Sequence, residues 1–151
     1  MIKKAKYIHT NLISENWRSL AEFYRKVLGC EIVGPERDLK GREVDAGTNI
    51  KGVQLKGVHL KLPGYGDDGP TLEIFTYLPQ ERPYDKKVNR PGFGHIAFLV
   101  ENVNEARKEI LSAGGSPVGE IVTVQISGRI NITWCYVTDP EGNIIELQTR
   151  H

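Results

Sequence analysis

The stretch "GFGHIAFLVENV", residues 92–103, sets an ionisable ring inside a glycine-flanked apolar run. An earlier stretch, "YIHTNLISENW", residues 7–17, repeats the theme: a histidine on an alternating segment, then a Glu-Asn pair. Shifting the numbering by 86 lays His9 on His95, Glu15-Asn16 on Glu101-Asn102 and Gly29 on Gly115. A second register, shifted by 73, lays "GPTLEIF" (69–75) over "GNIIELQ" (142–148), so that Gly69 meets Gly142 and Glu73 meets Glu146. Several coincidences in one element order mark a duplicated unit of supersecondary size. The change of register places a longer loop in the first copy, before its last strand.

Working outward, each copy reads as βαβββ. In the first, Lys6 to Ile13 alternates and is rich in β-formers. Ser14 or Asn16 then caps a helix in which Trp17, Leu20, Ala21, Tyr24, Val27 and Leu28 recur at helical spacing, with Gly29 just past its end. "CEIVGPE" is a short strand, followed by a charged, glycine-bearing loop, and "VQLKGVHLKLP" and "TLEIFTY" are two more strands parted by the turn signal "GYGDDG". In the second copy "HIAFLV" is a strand, "NVNEARKEILSAGG" a helix, and "GEIVTVQI", "NITWCYVT" and "NIIELQT" are strands. The expectation is a single α+β domain over 1–151, with one module at about 5–78, a connector at about 79–91 and a second module at about 92–150.

Composition bounds the function. At 151 residues the chain can bury a real core, since ~150 residues bury roughly 70% of their unfolded surface. A net charge of +1 gives no global pull toward nucleic acid or anionic membrane, so neither is expected as a partner. No run approaches the ~18 apolar residues of a membrane span, and "MIKKAKYIHT" has no apolar core of a secretory signal. The two cysteines, Cys30 and Cys135, lie far apart without CxxC spacing, which fits free thiols in a reducing cytoplasm.

The repeat puts both histidines on the first strand of a unit and both glutamates on the last. Two pseudo-equivalent halves that close on one another bring His9, Glu73, His95 and Glu146 to a common centre. Imidazole and carboxylate donors suit one divalent ion: Zn, Ni, Co, Mn or Fe. A lone strand histidine is more often a hydrogen-bonded core residue. The glutamates depend on parity: an inward carboxylate without a partner is costly. The other parity turns Glu73 and Glu146 to solvent as ordinary outward positions, and periodicity leaves both open. The shared placement of all four favours a metal site.

Three segments then carry a resemblance. "AEFYRKVLGCEIV" (21–33), "GFGHIAFLVENV" (92–103) and "VTDPEGNIIEL" (137–147) resemble the vicinal oxygen chelate superfamily, which includes glyoxalase I, methylmalonyl-CoA epimerase, extradiol dioxygenases and the fosfomycin and bleomycin resistance proteins. The resemblance covers almost the whole chain. It implies paired βαβββ modules forming a curved mixed sheet around a metal, and a homodimer. By position, His9, Glu73, His95 and Glu146 match the four-ligand pattern of glyoxalase I. Extradiol dioxygenases and fosfomycin-modifying members need only His9, His95 and Glu146, and bleomycin-binding members usually lack the set.

The activity this implies is a metal-dependent lyase or isomerase. Its small-molecule substrate presents two adjacent oxygens, and a proton moves next to the chelated carbonyl. Glu146 is the first expected base and Glu73 the second. The alternatives are a methylmalonyl-CoA epimerase-like enzyme, a binding or resistance protein, and an extradiol dioxygenase on the same scaffold. His59, in "GVHLKL", is a fifth candidate near the centre, but alternation with Val58 and Leu60 reads it as a strand surface residue and it is kept out of the metal set. Arg82, Lys86, Lys87 and Arg90 read as a solvated connector or as contacts for an anionic tail, and Arg129 as a residue facing the cavity. "DPEGN" is assigned a turn and no chemistry.

Overall fold

A computed structural model of the chain describes residues 3–128 and 130–151. Its contacts divide it into two units, Met1–Arg82 and Pro83–His151. The fold class is α+β, and each unit carries its own mixed sheet.

In the first unit, β1 (His9–Ile13) leads into α1 (Trp17–Leu28), then β2 (Glu31–Lys40), α2 (Arg42–Thr48), β3 (Gln54–Lys61) and β4 (Thr71–Leu78). The sheet order is β1-β4-β3-β2, with β1 parallel to β4 and the other pairs antiparallel. The parallel pair follows from the helical crossover, because α1 carries the chain back along the sheet before β2 begins. Asn16 starts that helix, its side chain accepting from the Ser19 amide at 3.2 Å. Gly29 ends it at φ 70, where a Cβ would be strained.

The apolar stripe of α1 buries Leu20, Ala21 and Tyr24 over Val58, Leu60, Leu72 and Ile74, each at most 3% exposed. Even-numbered positions of β3 and β4 therefore face the helix. The odd-numbered ones face the other way.

In the second unit, β5 (Ile96–Leu99) leads into α3 (Val103–Ser112), then β6 (Ser116–Pro117), β7 (Val122–Ser127), β8 (Ile130–Thr138) and β9 (Ile144–Arg150). The order is β5-β9-β8-β6, with β7 also on β8 and β5 parallel to β9. Val103 and Ile110 of α3 are buried, as are Cys135, Val137, Ile145 and Leu147 of the sheet. Strand for strand, β5, α3, β8 and β9 repeat β1, α1, β3 and β4, while β6 and β7 share the place of β2.

Three features depart from the sequence reading. The charged loop holds the seven-residue α2, which begins at Gly41 with no side-chain cap. It is closed instead by Asp45, whose carboxylate accepts from the amides of Gly52 and Val53 at 2.8 and 3.1 Å. Second, β2 runs on past Pro35, and its pairing shifts register between Val33 and Arg37. Third, the glycines matched by the repeat do different work. Gly29 supplies the left-handed turn after α1, whereas after α3 that conformation belongs to Gly114 at φ 97. Gly115 is small because a Cβ there would lie 2.2 Å from the Thr138 carbonyl oxygen.

Candidate functional site

The parity that periodicity left open is settled by the helices. Leu72 and Ile74 lie beneath α1, so Glu73 points to the opposite face of the first sheet; Ile145 and Leu147 are buried, so Glu146 does the same in the second. Neither carboxylate stands in bulk water, with side chains only 13% and 18% exposed.

On the first sheet, Glu73 gathers three donors. His9 Nε2, from the start of β1, lies 3.3 Å from Glu73 Oε2, and the Asn11 amide donates to the same oxygen at 3.1 Å. His59 Nε2, directly across the antiparallel pair, lies 3.1 Å from Glu73 Oε1. The His59 ring meets His9 edge-on at 6.3 Å between centroids and Phe75 at 5.9 Å. His59 was read as a strand surface residue outside the set. Its alternation with Val58 and Leu60 is as expected, but the face it presents is the one that carries Glu73. The repeat offers it no histidine partner in the second unit, where Tyr136 has its place.

Gly57 lets Phe75 pack closely on this face. It pairs with Phe75 on β4, and a Cβ there would sit 2.0 Å from the Ile74 carbonyl oxygen and 2.4 Å from Phe75 Cδ1. The Phe75 ring thus fills the space a side chain would take. Leu55, Phe75 and Val53 form a small buried cluster with Val44 and Tyr77 against it. Beside this cluster lies a cavity of about 520 Å³ that takes in His9, Asn11, His59 and Glu73. Its wall is completed by Arg37 and Leu39 of β2. The register shift after Val33 is of two residues, so the odd positions of β2 stay on the cavity face, with Arg37 opposite Gly57 and Leu39 opposite Leu55.

On the second sheet, His95 immediately precedes β5 and its Nε2 lies 2.8 Å from Glu146 Oε2. The surroundings differ from those of Glu73. Tyr136 stands directly across from Glu146, where the first sheet has His59 across from Glu73. The His95 ring lies 5.0 Å from the Tyr136 ring, which in turn lies 5.0 Å from Trp134. Burial, and secondarily the negative charge of Glu146, holds the Tyr136 hydroxyl above the usual phenol range. Ala97 takes the position that Asn11 has on the first sheet, across from the glutamate.

The donor set suits a metal ion. Neighbouring ligands at about 2.1 Å from a common ion and roughly 90° apart stand about 3 Å from each other. The His–Glu separations of 3.3 and 2.8 Å match that spacing. Among the described residues, no three or more His, Cys, Asp or Glu side chains form a metal-holding group.

The basic candidates sort differently. Lys86 is tied down, its ammonium donating to the Glu141 carbonyl at 3.0 Å and to Asn143 Oδ1 at 2.7 Å. The Arg90 guanidinium lies 5.3 Å over the Tyr84 ring. Arg82 and Lys87 are exposed, and Arg129 lies outside the described residues. Arg37, which the sequence reading did not single out, lines the cavity. The "DPEGN" segment is a turn: Asp139 Oδ1 accepts from the amides of Glu141 and Asn143, each at 2.9 Å.

Comparison with known proteins gives the family of the chain. Residues 6–147 match the family described as the Glyoxalase/Bleomycin resistance protein/Dioxygenase superfamily. The chain is 29% identical over 140 residues to a lactoylglutathione lyase of Escherichia coli O157:H7, covering 93% of this chain and 89% of that one. It is 28% identical over 148 residues to a probable lactoylglutathione lyase of Vibrio parahaemolyticus, covering 97% and 91%. Among solved structures, a glyoxalase family protein from Bacillus cereus shares the fold with a TM-score of 0.71 at 20% identity, over 99% of this chain and 95% of that one. The duplicated βαβββ unit, its paired histidines and glutamates, and a family match across nearly the whole length lead to one conclusion: this chain belongs to the glyoxalase/bleomycin resistance protein/dioxygenase superfamily of vicinal oxygen chelate proteins.

Proposed function

We propose that the protein is a metal-dependent lyase or isomerase of the glyoxalase type. In this reading His9 and Glu73 of one unit, with His95 and Glu146 of the other, furnish two nitrogens and two carboxylates to one divalent ion: Zn, Ni, Co, Mn or Fe. The supporting observation is the repeated imidazole–carboxylate pair, at 3.3 Å in one sheet and 2.8 Å in the other, on the face away from each helix. When bound, the ion supplies Lewis-acid polarisation of a carbonyl and a point of attachment for two adjacent substrate oxygens.

The residues divide the remaining work unequally. Glu73 is held at both oxygens, by His9 and Asn11 on one and His59 on the other, which suits a fixed ligand. Among the described residues, the recorded contact of the Glu146 carboxylate is to His95 through a single oxygen. That leaves Glu146 Oε1 uncommitted, and Ala97 beside it adds little bulk. Glu146 is therefore the base that takes the proton from the carbon next to the substrate carbonyl and returns it to the neighbouring carbon. The aromatic pair Trp134 and Tyr136 shields that carboxylate on one side.

The lactoylglutathione lyase relatives direct the choice of first substrate, the adduct of methylglyoxal with glutathione. In the same reading the working molecule is a cytoplasmic homodimer; the buried free thiols of Cys30 and Cys135 accord with a reducing compartment. The test is turnover of the adduct by the metal-loaded protein, beside an assay of 2-methylmalonyl-CoA epimerisation. Glu146→Gln should abolish isomerisation while keeping some metal bound. Retained turnover in that variant rejects the base assignment, and turnover of the CoA ester alone moves the protein to the epimerase reading.

A further inference from the structure

We propose that Arg37 is the anchor for a carboxylate on the substrate, so that the cavity of the first unit takes an acid with an apolar body. Arg37 lines the same cavity as the His9–Glu73 pair, which holds about 520 Å³, within the range of small-molecule sites. Its odd position on β2 puts it on the cavity face, and the two-residue register shift after Val33 sets it opposite Gly57 rather than Leu55. Its neighbour Glu36 lies on the other parity and is engaged by Arg18 through two hydrogen bonds of 2.5 and 2.8 Å. Among the described residues, Arg37 itself has no ion-pair partner. A half-buried guanidinium facing a cavity without a carboxylate of its own is a site for one from outside.

The rest of the wall narrows the ligand. Glu73, the acidic group of the cavity, is engaged by His9, His59 and Asn11, which lowers its repulsion of an incoming anion. Between that cluster and Arg37 lies apolar surface from Leu39, Leu55 and Phe75, with no side chain at Gly57. A ligand that spans the cavity thus needs polar atoms at both ends and hydrocarbon between them. One planar fork matches a monoanionic carboxylate in bidentate fashion, whereas a phosphate dianion would meet a single cation with Glu73 on the same wall.

This keeps the metal-dependent reading given above but replaces the polar glutathione adduct of its first assay by an acid with a hydrocarbon body, and it rests on that cavity being where the substrate binds. The probe pair is 5-phenylpentanoate and its neutral isostere 5-phenylpentanamide, neither of which carries oxygens on neighbouring carbon atoms. Titrating each into the full-length protein by heteronuclear NMR should show the acid binding at least about tenfold tighter, the scale of a charge-assisted pair. Arg37→Gln should bring the acid to the level of the amide and leave the amide unchanged, and Arg37→Lys should keep part of the preference. Equal binding of the two probes, binding of neither, or a preference that survives Arg37→Gln overturns the proposal. Metal content measured on the same samples separates this from the metal reading. A metal-free protein that still prefers the acid defeats only the latter, and a metal-loaded one without the preference defeats only the former.

Discussion

His59 and Tyr136 occupy one position in the duplicated sheet, each paired across antiparallel strands with the glutamate of its own unit. The duplication therefore preserves the imidazole–carboxylate pair and varies what stands beside it. The first unit has His59, Gly57 and Asn11, which give polarity and room. The second has Tyr136, Trp134 and Ala97, which give aromatic bulk.

His59 should act by holding Glu73 in place. If Glu73 is a metal ligand, replacing His59 with Phe removes the contact to Oε1 and leaves the ligand itself. Losing such an outer hydrogen bond typically weakens metal affinity about 10- to 100-fold. Competition with a chelator should show that loss with an unchanged circular dichroism spectrum, whereas an unchanged metal affinity removes His59 from the account.

Gly57→Ala should destabilise the first unit. The added Cβ would meet the Ile74 carbonyl oxygen at 2.0 Å, and a backbone atom in a central strand has no room to withdraw. Overpacking of this kind costs about 1–3 kcal/mol. Urea unfolding of the variant beside wild type measures it; a variant as stable as wild type would mean that the strand gives way where the packing says it does not.

Burial pushes the Cys30 thiol up to about 11. The raised value means the folded state holds its proton more tightly than the unfolded chain does. The associated stability is full below the ordinary thiol range near pH 9 and is lost as pH rises through 11. At pH 10.5 that loss is about 2 kcal/mol relative to pH 8. Denaturation at both pH values should show this drop in wild type and a smaller one in Cys30→Ala. At pH 8 the native thiol should resist a disulfide reagent until denaturant is added.

Much of this was legible in the sequence because duplication writes geometry twice. The offsets that align His9 with His95 and Glu73 with Glu146 identified residues that the structure pairs within each sheet. Asn16 and Gly29 marked the ends of α1 through side-chain and backbone chemistry that is local. What escaped was non-local. Arg37 stands opposite Gly57 because β2 slips register by two residues after Val33, and a period-2 pattern cannot show a slip that leaves parity unchanged. His59 is visible as a candidate but falls outside the metal set, because the repeat compares like with like and its counterpart is Tyr136. The helix α2 is under two turns long with no capping side chain, so its pattern is that of a loop.

The central claim is that the two histidine–glutamate pairs hold a catalytic divalent ion, and metal analysis by mass spectrometry of the purified protein tests it most directly. The account predicts about one ion per chain in wild type, in line with a single four-donor site. It also predicts loss of that ion in His9→Ala, Glu73→Gln and His95→Ala, together with loss of turnover on chelation. A chain that carries no divalent metal, and whose activity or ligand binding is indifferent to chelator and to these substitutions, would contradict it.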